Sequence, residues 1–266
     1  MAWYEEDGLP LGVAPHARLA PSADGYILDG RKRAVPFGAE AGLLLVPATM
    51  GADPVLVAVD TGIGVDAAAT GQRAAGRIDI APCETIDGQP AADIRFDSLG
   101  LAPSALVARG DEAERLLAWM LDAWRVASFA DALGAMRRLV EMTGEYLQVR
   151  QQFGAAIGQN QALRHRFVDL HLAIREVEAT CEHAAVAIDA ADAGARAHAV
   201  DIAHYATVRA AWLVAQECVQ MHGGIGMAAE TSVGAYFKRL LGLALRCGDE
   251  DAALARLAAA SPGRAA

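Results

Sequence analysis

Gln220-Met221-His222-Gly223-Gly224-Ile225-Gly226-Met227 is the stretch on which the reading of this chain turns. It closes a long apolar-periodic segment with three glycines in four positions. Glycine has no Cβ, so the backbone there can take positive φ and lie close against a ligand, its N–H groups cradling a phosphate. Glycine after a helix is also the ordinary C-cap. The run is not a Walker loop, because no Gly-Lys-Ser/Thr follows. It is not a dinucleotide fingerprint, which follows a strand rather than a helix. A second run, Tyr146-Leu147-Gln148-Val149-Arg150-Gln151-Gln152-Phe153-Gly154, ends an earlier helical segment. Arg150 there complements a helix C-terminus or holds a pyrophosphate with Phe153 as an aromatic wall, and spacing leaves both open.

Outward from these runs the chain changes character near residue 110. From Asp111 onward apolar residues recur every three or four positions. Leu117, Met120, Leu121 and Trp124, then Leu133, Met136 and Val140, form one stripe. Leu163, Phe167, Leu170, Ile174, Val177 and Cys181 form the next. Such stripes are amphipathic helices burying one face. Gly154 and Gly158 separate the first two, and Asp192-Ala193-Gly194 ends the second. A third is expected from about 197 to 221, a fourth from about 232 to 246 and a last from about 249 to 259. Four long helices with short connections pack as a bundle. Before residue 110 short β-type runs alternate with turn residues. These are Tyr26-Ile27-Leu28 running into an Asp29-Gly30 turn signal, Leu43–Val46, Val55–Val59 and Ile94–Phe96. The expected fold is α+β: an antiparallel β-domain over 1–108, a C-terminal four-helix bundle over 109–260, and a disordered tail at 261–266.

The 266 residues are 54% hydrophobic and 21% charged, enough to fill a sizeable core. The net charge of −10 argues against general nucleic-acid binding and against an anionic membrane surface. No apolar run reaches the roughly 18–20 residues of a membrane helix. The acidic start, Met1-Ala2-Trp3-Tyr4-Glu5-Glu6-Asp7, lacks the order of a signal peptide, so a cytoplasmic protein is expected. Lysine occurs only at Lys32 and Lys238, and arginine carries most of the positive charge. Cys83, Cys181, Cys218 and Cys247 are widely spaced, as buried reduced thiols would be. The histidines show no metal-ligand spacing, and no metal site is expected.

Taken together, Arg150-x-x-Phe153-Gly154, Ile157-Gly158, Gln161 and Gln220 through Gly226 resemble the C-terminal helical domain of the acyl-CoA dehydrogenase family. Gly25-Tyr26-Ile27-Leu28-Asp29-Gly30-Arg31-Lys32 is similar to a strand-turn-strand of that family's middle β-domain, and Val35–Val46 continues the match. The resemblance implies FAD as cofactor and α,β-dehydrogenation of an acyl-CoA thioester in fatty acid or lipid catabolism. By it, Arg150 binds the FAD pyrophosphate and Phe153 and Gln161 line the cofactor's path. Gln220, Gly223 and Gly224 meet the ADP half of a neighbouring subunit's FAD. It further implies a homo- or hetero-oligomer, typically a dimer of dimers, and an electron-transfer flavoprotein as electron acceptor.

The same resemblance exposes departures. The family's catalytic glutamate aligns with Gly248, and its alternative placement on the first bundle helix with Trp124. Asp249, Glu250 and Asp131 are the nearest carboxylates, with Asp249 equally placed to cap a helix. The family's N-terminal helical domain is expected to be missing. Its Thr-Glu-Pro-like segment, near residues 4–8, is poorly kept, and its flavin-side aromatic is replaced around Ala34-Val35. Four readings follow: an acyl-CoA dehydrogenase or a fragment of one; a non-catalytic subunit completing another chain's FAD site; a flavin oxidase or monooxygenase on the same fold; or a cofactor-free bundle.

Overall fold

The computed structural model describes residues 1–5, 15–63 and 76–260. The expected tail at 261–266 and most of the Thr-Glu-Pro-like segment lie outside the described residues. The chain divides into two compact units, Met1–Met120 and Leu121–Ala266.

The first unit is a seven-stranded sheet: β1 (Arg18–Ser22), β2 (Gly25–Pro36), β3 (Leu43–Met50), β4 (Asp53–Asp60), β5 (Arg77–Glu84), β6 (Pro90–Leu101) and β7 (Leu106–Arg109), ordered β5-β6-β2-β1-β3-β4-β7. Every pairing is antiparallel except one parallel bridge, Arg18 to Thr49, between β1 and β3. Side chains alternate across a strand, so β4 serves two cores. Val55, Val57 and Val59 enter the main cluster with Leu28, Val46, Ile94 and Phe96. Leu56 faces the other way, onto Ala108 and Ala113. Lys32 of β2 is fully buried, and its Nζ donates to the Glu5 carboxylate, which also accepts from the Ala17 N–H at 3.1 Å.

Asp29-Gly30 is not a turn. Strand β2 runs straight through it, with a register shift between Leu28 and Gly30. A Cβ on Gly30 would stand 2.7 Å from the Ala17 Cα, so glycine is there for close approach and a bulge. The edge strands β5 and β7 and the short inner strand β1 escaped the sequence reading because little of each is buried. Cys83 corrects another expectation: it lies exposed on β5, while Cys181, Cys218 and Cys247 are buried and all four are free.

Helix α1 (Asp111–Val149) begins in the first unit and continues into the second. The second unit adds α2 (Gln161–Ala187), α3 (Ala193–His222), α4 (Val233–Arg246) and the short α5 (Glu250–Ala259). Met136, Leu139 and Val140 of α1 meet Leu170 and Val177 of α2, Val200, Val208 and Val214 of α3, and Leu240 of α4 in one core. Helix α3 is the most enclosed, its alanines letting neighbours approach on several sides. It starts earlier than its apolar stripe suggested. Asp192 accepts from the N–H groups of Gly194 (2.8 Å) and Ala195 (3.1 Å), so the Asp-Ala-Gly run starts α3 rather than ending α2. The architecture is α+β, a nearly antiparallel sheet followed by a helical bundle.

Candidate functional site

Three helix ends converge in the second unit. Tyr146, in the last turn of α1, donates its hydroxyl to the His222 carbonyl at 3.3 Å, and their rings stack with centroids 4.5 Å apart. His222 is the last residue of α3, its Nδ1–H held by the Cys218 carbonyl at 2.8 Å. The two carboxyl ends, Arg150 after one and Gly223-Gly224 after the other, are thereby fixed side by side. Helix α2 brings its amino end to the same place. The Ile157 N–H donates to the Arg150 carbonyl (2.9 Å), and Arg166 Nε pairs with Glu217 of α3 (2.5 Å). Gln161, first in α2, and Gln220, near the end of α3, are both exposed there.

Arg150 is exposed, and its guanidinium has no carboxylate partner among the described residues. Between it and α2 stands a two-stranded hairpin, β8 (Gln151–Gln152) and β9 (Ala155–Ala156). At its tip Phe153 and Gly154 both take positive φ, 53° and 81°. That is the backbone of a tight two-residue hairpin turn, and for phenylalanine the left-handed region costs about 1–2 kcal/mol. The ring is 103% exposed and makes no compensating contact among the described residues.

The glycines differ from one another. A Cβ on Gly226 would stand 2.9 Å from the Val219 carbonyl oxygen, so that glycine is needed for packing. A Cβ on Gly223 or Gly224 would meet nothing within 4 Å, and Gly223 takes φ of 65°. Here the backbone is open to a ligand. An unpaired guanidinium, open glycine backbone and two exposed amides suit the pyrophosphate and polar edges of a dinucleotide. The structure thus brings together Arg150, Gln161, Gln220, Gly223 and Gly224, with Phe153 on the hairpin beside them.

The expected base positions are occupied differently. Gly248 lies between α4 and α5 at φ of 93°, and its carbonyl accepts from His204 Nε2 at 3.0 Å. His204 Nδ1 lies 3.1 Å from an Arg125 nitrogen and also takes a hydrogen bond from Arg256. Arginine only donates, so Nδ1 is the acceptor and the imidazole is the neutral Nε2–H tautomer. Burial, with the Arg125 and Arg256 guanidiniums beside it, pushes its pKa down to about 3. Around it Arg125 pairs with Asp201 (2.6 Å), Arg256 with the same carboxylate (2.8 Å) and Arg196 with Asp122 (2.9 Å). Arg125, 3% exposed, keeps its Nε without a partner. Asp249 accepts from the Ala252 N–H at 2.9 Å as the N-cap of α5, and Asp131 is paired with Arg239. Glu250 lies in the first turn of α5, where a carboxylate complements the helix dipole.

Sequence reasoning missed this buried cluster and the Tyr146–His222 clasp. The one local signal was charge on core-facing helical positions, such as Asp122 and Arg125 three residues apart. Among the described residues no group of His, Cys, Asp and Glu is placed to hold a metal ion, and no helix is long and apolar enough to cross a membrane.

Residues 115–261 match the family model described as the acyl-CoA dehydrogenase C-terminal domain. The chain is 31% identical over 175 residues to the acyl-CoA dehydrogenase IpdE2 of Mycolicibacterium smegmatis, covering 66% of this chain and 52% of that protein. It therefore spans about half the length of this curated relative. Among solved structures it is similar to a steroid ACAD, Tcur3481-Tcur3483 in its G363A variant, with a TM-score of 0.82 and 27% identity, covering 97% of this chain and 65% of that one. It shares its fold with a glutaryl-CoA dehydrogenase from Mycobacterium smegmatis in complex with FADH2, with a TM-score of 0.83 and 22% identity, covering 100% and 66%.

Proposed function

From the premise that this chain belongs to the acyl-CoA dehydrogenase family, we propose that it works in the FAD-dependent α,β-dehydrogenation of an acyl-CoA thioester, completing a flavin site shared with a neighbouring subunit. The observation that carries this reading is the exposed, unpaired Arg150 beside the open backbone of Gly223-Gly224, held in place by Tyr146 and His222.

When bound, FAD supplies the acceptor for the substrate's β-hydrogen. This chain's residues bind and orient. Arg150 pairs with the pyrophosphate as a planar fork. Gly223 and Gly224 let the backbone reach the ADP half without a side chain intervening. Gln161 and Gln220 hydrogen-bond polar edges, and Phe153 shields the cofactor from water. The strained, solvent-facing Phe153 fits a residue positioned for a ligand rather than for the fold. In this arrangement residues 1–108 act as the middle β-domain and 109–260 as the helical domain.

A second set of observations favours the reading in which the base comes from another chain. Removing the α-proton needs an ionised, positioned carboxylate. Gly248 and Trp124 stand at the two aligned positions, Asp249 caps α5 and Asp131 neutralises Arg239. The paired designation of the similar steroid ACAD accords with a two-chain assembly, and an electron-transfer flavoprotein would take the electrons onward.

The test is to purify the chain with a co-expressed homologue that carries the glutamate and to measure flavin per assembly. Loss of a charge-assisted contact to phosphate, about 1.5–3 kcal/mol, predicts that Arg150→Ala weakens FAD binding by about tenfold or more. Undiminished flavin in that variant overturns the proposal.

A further inference from the structure

We infer that Arg164, in the first turn of α2, is a second cation of the flavin half-site, and that it and Arg150 together hold the doubly charged diphosphate of FAD. This rests on the flavin reading above and adds to it a residue and a charge count. Arg164 is exposed yet anchored: its Nε donates to the Gly158 carbonyl at 2.9 Å. That bond fixes the guanidinium and leaves its two Nη groups as a free fork. Gly158 is itself firmly seated. A Cβ there would stand 2.7 Å from the Leu147 carbonyl oxygen, so the corner is pressed onto the last turn of α1. Ile157, the preceding residue, donates its N–H to the Arg150 carbonyl at 2.9 Å. Adjacent residues of one corner therefore hold the Arg150 backbone and the Arg164 guanidinium.

Charge decides what this corner accepts. Neither Arg150 nor Arg164 has a carboxylate partner among the described residues. Other arginines nearby are neutralised within the chain: Arg166 pairs with Glu217, and Arg137 and Arg175 share Glu178. The first turn of α2 holds no acidic residue. Asn160, before it, turns its side-chain amide to the Ile157 carbonyl (3.0 Å) and does not cap the helix. The positive end of α2 thus adds to the same field. In a chain of net charge −10, two uncompensated guanidiniums at one corner are an exception. Like charges held close repel, and an anion with two charges on neighbouring groups removes that repulsion. A diphosphate is such an anion, and its oxygens suit two planar forks. A lone carboxylate would leave one arginine unmatched.

The test uses the chain purified with its co-expressed homologue, stripped of flavin and titrated with FAD at low and high salt. Arg164→Ala should weaken FAD binding by about tenfold or more, as Arg150→Ala does. Added salt should weaken binding in the wild type, and less so in either variant. Arg164→Lys, which keeps the charge but not the fork, should fall between wild type and Arg164→Ala. Inorganic pyrophosphate should compete with FAD in the wild type and about tenfold less well in either variant. An Arg164→Ala protein that binds FAD like wild type overturns the inference. So does one that binds FAD weakly with an undiminished salt dependence and a lowered Tm when flavin-free, since Arg164 would then only anchor Gly158. If Arg150→Ala weakens binding and Arg164→Ala does not, the flavin proposal stands and this inference alone falls. If neither variant changes the affinity, both fall.

Discussion

His204 is buried, uncharged and bonded on both ring nitrogens, and this has a consequence for stability. Its ordinary pKa of 6.5 falls to about 3 in the folded chain. Above pH 6.5 neither state holds the proton, and stability is indifferent to this group. Below it the unfolded chain takes up a proton that the folded chain refuses until about pH 3, so stability falls with pH across that window. Replacement by glutamine keeps one donor for Gly248 and one acceptor for the arginines but removes the titration. The urea midpoint of wild type should therefore drop more steeply than that of His204→Gln between about pH 6.5 and pH 3. Parallel curves would show that the imidazole is not the neutral group described. The residues proposed to face the flavin could be singled out in the sequence because they lie in two short runs, at Arg150–Gln161 and Gln220–Gly224. The cluster around His204 could not. Its members, at 122, 125, 196, 201, 204 and 256, come from three helices, α1, α3 and α5, and no local spacing shows that these close on one another.

At the scale of elements, the helices were legible because a 3.6-residue apolar period persists over several turns, and their ends were not. Asp192-Ala193-Gly194 reads equally as a stop or a start until the two N–H groups bonded to Asp192 show which. Asp29-Gly30 reads as a turn because the dipeptide usually is one. Here Ala17, just before β1, presses against Gly30, and the chain bulges rather than reverses. Helix α5 is short, with little core of its own beyond Ala253, so its cap should matter. Asp249→Ala removes the bond to the Ala252 N–H and should cost about 1 kcal/mol. Amide exchange would quicken first in α5. Unchanged exchange there would mean that Asp249 is available for another role, the base included. Arg256 carries the same logic across elements: through Asp201 and His204 it ties α5 to the centre of α3 and to Gly248.

The helix ends present a cation, open backbone and an exposed aromatic without partners among the described residues. At the positions aligned with the family's base stand Trp124 and Gly248, whose carbonyl accepts from His204, while Asp249 caps α5 and Asp131 pairs with Arg239. On the proposed function, a chain of this kind binds the cofactor in company and relies on a partner for the base. The most direct test is anaerobic titration of acyl-CoA into two FAD-loaded preparations, the chain alone and the chain with a glutamate-bearing homologue, while visible flavin absorbance is followed. The account predicts bleaching only in the paired preparation, and its loss when the partner's glutamate is replaced by glutamine. Bleaching by the chain alone would contradict it and place the base among this chain's own carboxylates.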